Sequence, residues 1–112
     1  MVASEYADLH VAVIGVGGWG KNHARVLNNL GALSAVCDMD VKRGKEISEK
    51  YNVNCYTSLD RLLREEQNLD ACFICTPTKN HYELATRIID KGIHLFVEKP
   101  LSFSSKECDN LV

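Results

Sequence analysis

Six residues, Gly15-Val16-Gly17-Gly18-Trp19-Gly20, constrain this chain more than any other feature. Glycine inside a strand or helix costs roughly 0.5–1 kcal/mol relative to alanine, so a cluster like this one is a turn. Its flanks say which turn. The run Leu9–Ile14 is short, apolar and rich in β-branched residues, as a buried parallel strand is. After the loop, Trp19, His23, Val26, Leu27 and Leu30 fall at helical spacing, and Gly31 stands where a helix ends. A glycine turn between a strand and a helix is the context in which G-x-G-x-x-G cradles a phosphate; elsewhere the pattern is an ordinary structural turn.

The alternation continues. Leu33–Cys37 predicts a second strand ending at Asp38, and Val41–Tyr51 a surface helix on a weak stripe of Val41, Gly44, Ser48 and Tyr51. Val53–Tyr56 predicts a third strand, after which the Ser58 hydroxyl caps a small helix around Leu59, Leu62 and Leu63. Ala71–Cys75 reads as the fourth strand, interrupted by Thr76-Pro77. A helix with Leu84, Ala85, Ile88 and Ile89 on one side runs to Lys91-Gly92, and His94–Val97 is the fifth strand. Such alternation means a parallel sheet with right-handed crossovers and helices on both faces. The expected fold class is therefore α/β, a doubly wound parallel sheet of the Rossmann type. Residues 1–112 are expected to form one domain, since a chain of 112 residues has room for one core, and the glycine turn makes it a candidate nucleotide-binding domain. Ser104-Ser105-Lys106-Glu107 fits a capping box, with Phe103 as staple partner of Cys108, and predicts a further helix. No stop signal follows by Val112, so the expectation is a fragment truncated before a second, α+β substrate domain.

Each position of the loop has a physical task in the phosphate reading. Gly15 permits the tight turn, Gly17 lets the backbone approach a pyrophosphate, and Gly20 lets the helix pack closely on the strand. The helix beginning near Gly18 and Trp19 offers unpaired amides and the positive end of its dipole to an anion. Asp38 follows Gly20 by eighteen residues, near the roughly 20 expected of an acid that accepts from the adenosine ribose hydroxyls. Its charge would repel a 2′-phosphate, which favours NAD over NADP. NADP stays open because Lys42 and Arg43 stand a turn further on, although both also read as solvated helix residues.

A net charge of -2 and a pI near 6.0 give no reason to expect nucleic acid or an anionic membrane as partner. No stretch approaches the roughly 20 apolar residues of a membrane span, and Met1–Asp8 lacks the basic start and apolar run of a secretory signal, so a cytoplasmic protein is expected. Five cysteines without framework spacing read as small core hydrophobes. Cys72 and Cys75 form a C-x-x-C inside a strand, where odd offsets point to opposite faces, and neither His81 nor His94 completes a ligand set; no metal is expected. His23, on the apolar face of the first helix, reads as a core histidine with a satisfied partner.

Thr76-Pro77-Thr78-Lys79-Asn80-His81 and Gly92-Ile93-His94-Leu95-Phe96-Val97-Glu98-Lys99-Pro100 resemble the Gfo/Idh/MocA family of sugar and polyol oxidoreductases. With the glycine loop the likeness covers nearly the whole chain, and Glu98-Lys99-Pro100 is its specific part. The resemblance implies that Thr76, Pro77 and His81 line the nicotinamide half of the groove. It also implies that Glu98 contacts the nicotinamide ribose and that Lys99 is catalytic, facing a sugar or polyol hydroxyl. His81 reads equally as a cap of the fourth helix, and Glu98 with Lys99 as a solvated loop pair. Gly18–Leu27 is also similar to the sugar-nucleotide 3-dehydrogenase branch. A homo-oligomeric full-length enzyme is implied. A stand-alone NAD(H) sensor, the alternative, needs the glycine loop and Asp38 but no lysine at position 99.

Overall fold

The computed structural model describes residues 8–76 and 81–97. In chain order the elements are β1 (Val11–Ile14), α1 (Trp19–Asn29), β2 (Leu33–Cys37), α2 (Val41–Tyr51), β3 (Asn54–Tyr56), α3 (Leu59–Glu65), β4 (Ala71–Ile74), α4 (His81–Asp90) and β5 (His94–Val97). The strands form one sheet in the order β3-β2-β1-β4-β5, with every pairing parallel. The chain winds outward from β1 to β3, crosses back, and winds the other way through β4 and β5. The α/β doubly wound expectation is met.

Position in the sheet explains the composition of each strand. β1 lies in the middle with helices over both faces, and Val11, Ala12, Val13 and Ile14 are all buried; β5 at the edge alternates between exposed and half-buried. Successive side chains feed two cores. Ala12, Ile14, Cys72 and Ile74 pack with Leu59, Leu62, Ala85 and Ile88 of α3 and α4. Val11, Val13 and Val36 pack on the other face with Ala24, Leu27 and Ile47 of α1 and α2. Cys72 belongs to the first core and Cys75 borders the second, so the C-x-x-C pair points to opposite faces. Burial first, then the Asp38 charge, pushes the Cys37 thiol up to about 11. Burial pushes that of Cys72 up to about 12, so both stay protonated.

Several expectations from the sequence are corrected. β1 starts at Val11, not Leu9: Leu9 is exposed, and the His10 amide donates to the Asp70 carboxylate at 2.8 Å. β3 starts at Asn54, because the Val53 amide turns back to the Ser48 carbonyl where Asn52 ends α2 in a left-handed conformation. β4 stops at Ile74. Trp19, Val26 and Leu30 of the α1 stripe are exposed, and the sheet-facing residues are Gly20, Ala24 and Leu27. On α2 the buried residues are Gly44 and Ile47 while Val41 is exposed, and on α4 Ile89 is exposed while His81, Ala85 and Ile88 are buried. Apolar spacing locates a helix but does not resolve rotation about its axis when the contact residues are small. Ser58 caps α3 as expected, accepting from the Arg61 amide at 3.2 Å. The helix expected from Ser104 lies outside the described residues.

Leu62 has no exposed surface, and Val41 is 65% exposed. Leu62→Ala should therefore cost about 2–5 kcal/mol of unfolding free energy in a urea titration, whereas Val41→Ser should stay within about 0.5 kcal/mol.

Candidate functional site

The ladder registers pair Tyr56 with Cys37, Cys37 with Ile14, Ile14 with Ile74 and Ile74 with Val97. All five strands thus end in one row, and the residues after them share one edge of the sheet. Backbone bonds carry the alignment past the strand ends: Gly15 donates to the Cys37 carbonyl at 2.7 Å, Asp38 to Tyr56 at 2.9 Å and Cys75 to Ile14 at 2.8 Å. This brings Gly15, Asp38 and Thr76 together at the carboxyl edge. The winding reverses between β1 and β4, and in open α/β sheets that is where a ligand crevice opens.

The glycine loop fills this place with backbone. Gly15 has a φ of +89°, and a Cβ there would lie 2.9 Å from Thr76 Cγ2 and 3.0 Å from the Cys75 carbonyl carbon. At Gly20 the space is closed, since a Cβ would stand 1.7 Å from the Gly15 carbonyl oxygen. Gly17 is different. The nearest atoms to a Cβ there belong to the Arg43 guanidinium, at 3.1 Å from Nη1, so the added atom would press on a flexible side chain. α2 and α3 are capped by the side chains of Asp40 and Ser58, but α1 begins after Gly18 with no side-chain cap. The Gly20 amide in this first turn donates to the Gly17 carbonyl at 3.1 Å, and the positive end of the helix dipole, equivalent to roughly half a unit charge, lies here. Trp19, the first residue of α1, is 69% exposed.

Asp38 is almost fully buried and does more than the sequence revealed. Its Oδ2 accepts from the Val16 amide at 3.0 Å; Oδ1 accepts from the Asp40 amide at 2.8 Å and from Arg43 Nη2 at 3.1 Å. Burial pushes the carboxyl pKa up, but the two amides and the Arg43 guanidinium outweigh it and hold the group below the usual carboxylate range. The same pair raises the Arg43 pKa. The reading of Arg43 as merely a solvated helix residue is corrected, because its guanidinium reaches from α2 across to Asp38; Lys42 is exposed. The missed signal was Asp40, an N-cap three residues before Arg43, which fixes the first turn of α2 so that Arg43 faces the strand end.

On the other side of the crevice, His81 opens α4 with 1% of its surface exposed, and Nε2 lies 2.6 Å from the Thr76 carbonyl oxygen. A carbonyl only accepts, so Nε2 carries the hydrogen. The Thr76 hydroxyl is buried and has no hydrogen-bond partner among the described residues. The His23 ring packs edge-on against Phe73 and the exposed Phe96, with centroids 5.3 and 5.7 Å away, but it is only half-buried and lies outside both cores, which corrects the reading of a core histidine. Pro77, Glu98, Lys99 and Pro100 lie outside the described residues. Among those described, no group of three His, Cys, Asp or Glu is arranged to hold a metal, and no helix is long and apolar enough to cross a membrane.

A parallel sheet wound in two directions, a glycine turn feeding an uncapped helix and a buried acid after β2 define the dinucleotide-binding class of α/β domain. Within that class the chain belongs to the Gfo/Idh/MocA family, described as an oxidoreductase family with NAD-binding Rossmann fold, whose model matches residues 9–112. It is 33% identical over 104 residues to UDP-N-acetylglucosamine 3-dehydrogenase of Acidithiobacillus ferrooxidans, an alignment that takes in 93% of this chain and 32% of that enzyme. The structure of myo-inositol 2-dehydrogenase from Lactobacillus plantarum superposes with a TM-score of 0.85 at 34% identity, covering 92% of this chain and 31% of the other. GenD2 from gentamicin A biosynthesis, solved in complex with NAD, superposes with a TM-score of 0.86 at 30% identity, covering 92% and 30%. The chain spans about a third of the length of the relatives it matches. The sensor alternative gains no support from these relatives.

Two results should follow. Gly20→Ala should lower the melting temperature strongly, because the new methyl collides with backbone, whereas Gly17→Ala should leave it within a few degrees. Because the folded-state pKa of Asp38 is depressed, its contribution to stability is complete above the unfolded value of about 4 and is lost as pH falls through the lower folded value. Asp38→Asn should therefore be less stable than the parent at neutral pH, and the gap should narrow on acidification, as read by melting curves across that range.

Proposed function

We propose that this chain is the cofactor half of an NAD-dependent oxidoreductase whose full-length form moves hydride between nicotinamide and a hydroxyl-bearing carbon of a sugar, polyol or sugar nucleotide. The observation that carries the proposal is Gly17, where a side chain would meet the flexible Arg43 guanidinium and not the core, beside an α1 without a side-chain cap, at the crevice where the winding of the sheet reverses. In this reading Gly15, Gly17 and Gly18 carry the loop around the pyrophosphate, and Gly20 holds α1 against it. Trp19 shields the phosphate from solvent, and Asp38 accepts from the adenosine ribose. The groups present fit a dinucleotide on two counts: the nearest atoms to a Gly17 side chain belong to the flexible Arg43 guanidinium, and the Thr76 hydroxyl is buried without a described partner.

On the nicotinamide side, Thr76 would line the groove, with Pro77 beside it as the family resemblance implies. His81 holds that side by its bond to the Thr76 carbonyl, and Glu98 takes the ribose. When bound, the nicotinamide supplies the hydride donor or acceptor. Lys99 would hydrogen-bond the substrate hydroxyl and hold or release its proton, and Pro100 would fix the turn that aims it. A Rossmann half offers no walls to orient a sugar or to exclude water, so the 1–112 domain requires a further substrate domain. We place the complete enzyme in the cytoplasm as a homo-oligomer, on the strength of the composition and of the family resemblance.

Calorimetry of the chain with NADH should give a single site that Gly17→Val abolishes while the circular-dichroism spectrum is kept; unchanged affinity would remove the loop from the site. In the full-length enzyme, Lys99→Met should lower kcat by roughly 10²–10⁴-fold with cofactor affinity little altered, as general acid–base catalysis requires. A normal kcat in steady-state assays would make Lys99 a surface residue.

A further inference from the structure

The two faces of the sheet are not covered alike. On one face α3 packs on β2 and β3, and α4 on β4 and β5; on the other, α2 packs on β2 and β3, and α1 on β1, β2 and β4. Among the described residues no helix covers β5 on this second side, where Phe96 is 46% exposed. Phe96 stands in register with Phe73 of β4, and the two rings stack with centroids 4.7 Å apart, so they form a continuous apolar floor.

α1 adds a wall to that floor. Each helical residue turns the chain by roughly 100°, so Trp19, His23, Val26 and the C-cap Leu30 lie along one flank, beside the buried stripe of Gly20, Ala24 and Leu27. The contacts of His23 with Phe73 and Phe96 show that this flank faces β5 and not α2. Trp19, Val26 and Leu30 are exposed along it. Soluble domains seldom leave a contiguous apolar patch of this kind open to water, and where they do it marks an interaction surface.

We infer that this step between α1 and β5 is an interdomain surface: an amphipathic helix of the full-length enzyme, from the part that follows residue 112, lies along α1 on the floor of Phe73 and Phe96 and fixes the substrate half to the cofactor half. The inference rests on the proposed two-domain oxidoreductase and names the face its second domain takes. Three features select this occupant. The uncovered strip is two strands wide, about 10 Å, which is the width of one helix. None of the residues on floor or wall is Asp, Glu, Lys or Arg, so the strip offers no counter-charge to a nucleic acid or an acidic peptide and suits an apolar helix face. About two thirds of the length of the relatives lies outside the chain, and β5, which carries Phe96, is the last strand described. A segment tethered downstream of that strand meets the strip at a high effective concentration, which a second copy in dilute solution does not reach.

The test is hydroxyl-radical footprinting of the chain 1–112 and of the full-length enzyme, both without cofactor, read residue by residue by mass spectrometry. Phe96, Val26 and Leu30 should be oxidised readily in the chain and lose most of that reactivity in the full-length enzyme, while the exposed Met39 and Val41 change little. Equal reactivity of Phe96 in the two proteins would overturn the inference. Protection already complete in the dilute chain would assign the cover to residues within it, and full-length protection lost on dilution would assign it to a second copy; either result would also overturn it. NADH titration of the same full-length sample separates this inference from the reading beneath it. Binding of NADH with Phe96 still reactive overturns the docking face alone, whereas a sample that binds no NADH removes the cofactor site and this inference with it.

Discussion

The contact on which the rest of this structure depends is that of Gly20 with the carbonyl of Gly15. A side-chain carbon at Gly20 would stand 1.7 Å from that oxygen, so α1 can lie where it does only because residue 20 has none. The close approach sets the height of α1 over the sheet, and the small side chains beneath it, with Ala24 one turn on, follow from that height. It also directs the start of the helix at the crevice, because the chain must leave β1, turn through Gly15 and re-enter as a helix within a few residues.

A second tie holds this geometry from the side. Asp38 joins the loop after β1, through the Val16 amide, to the loop after β2, through the Asp40 amide. A buried carboxylate with several donors stays ionised, so it ties the two loops to each other. The same carboxylate faces the groove and meets Arg43 from α2. In the proposed reading, structural and recognition roles share this one residue, so changes at Asp38 should act on stability and on cofactor binding together.

Much of this was legible in the sequence because the fold is carried by strong local signals. Leu33–Cys37 and His94–Val97 are strands with the bounds their apolar runs give, and Ser58 caps α3 as its hydroxyl and position imply. What was not legible depends on contacts between segments. Nothing in the spacing of Trp19, Val26 and Leu30 says that they face water, because the rotation of α1 is set by glycine and alanine, which carry little hydrophobic signal. Likewise, the number of donors converging on Asp38 arises from amides at residues 16 and 40, brought together only by the register of β1 with β2. The bond from His81 to the Thr76 carbonyl and the buried Thr76 hydroxyl belong to the same class.

The central claim is that the carboxyl edge between β1 and β4, and no other surface, receives the dinucleotide. The most direct measurement is titration of the isotopically labelled chain with NADH, followed through backbone amide resonances. The account predicts the largest shifts at Val16–Gly20, Asp38 and Thr76, with the α3–α4 face around Leu63 and Arg87 unmoved. Shifts centred on that opposite face, or a saturating titration that leaves the glycine loop unperturbed, would contradict it.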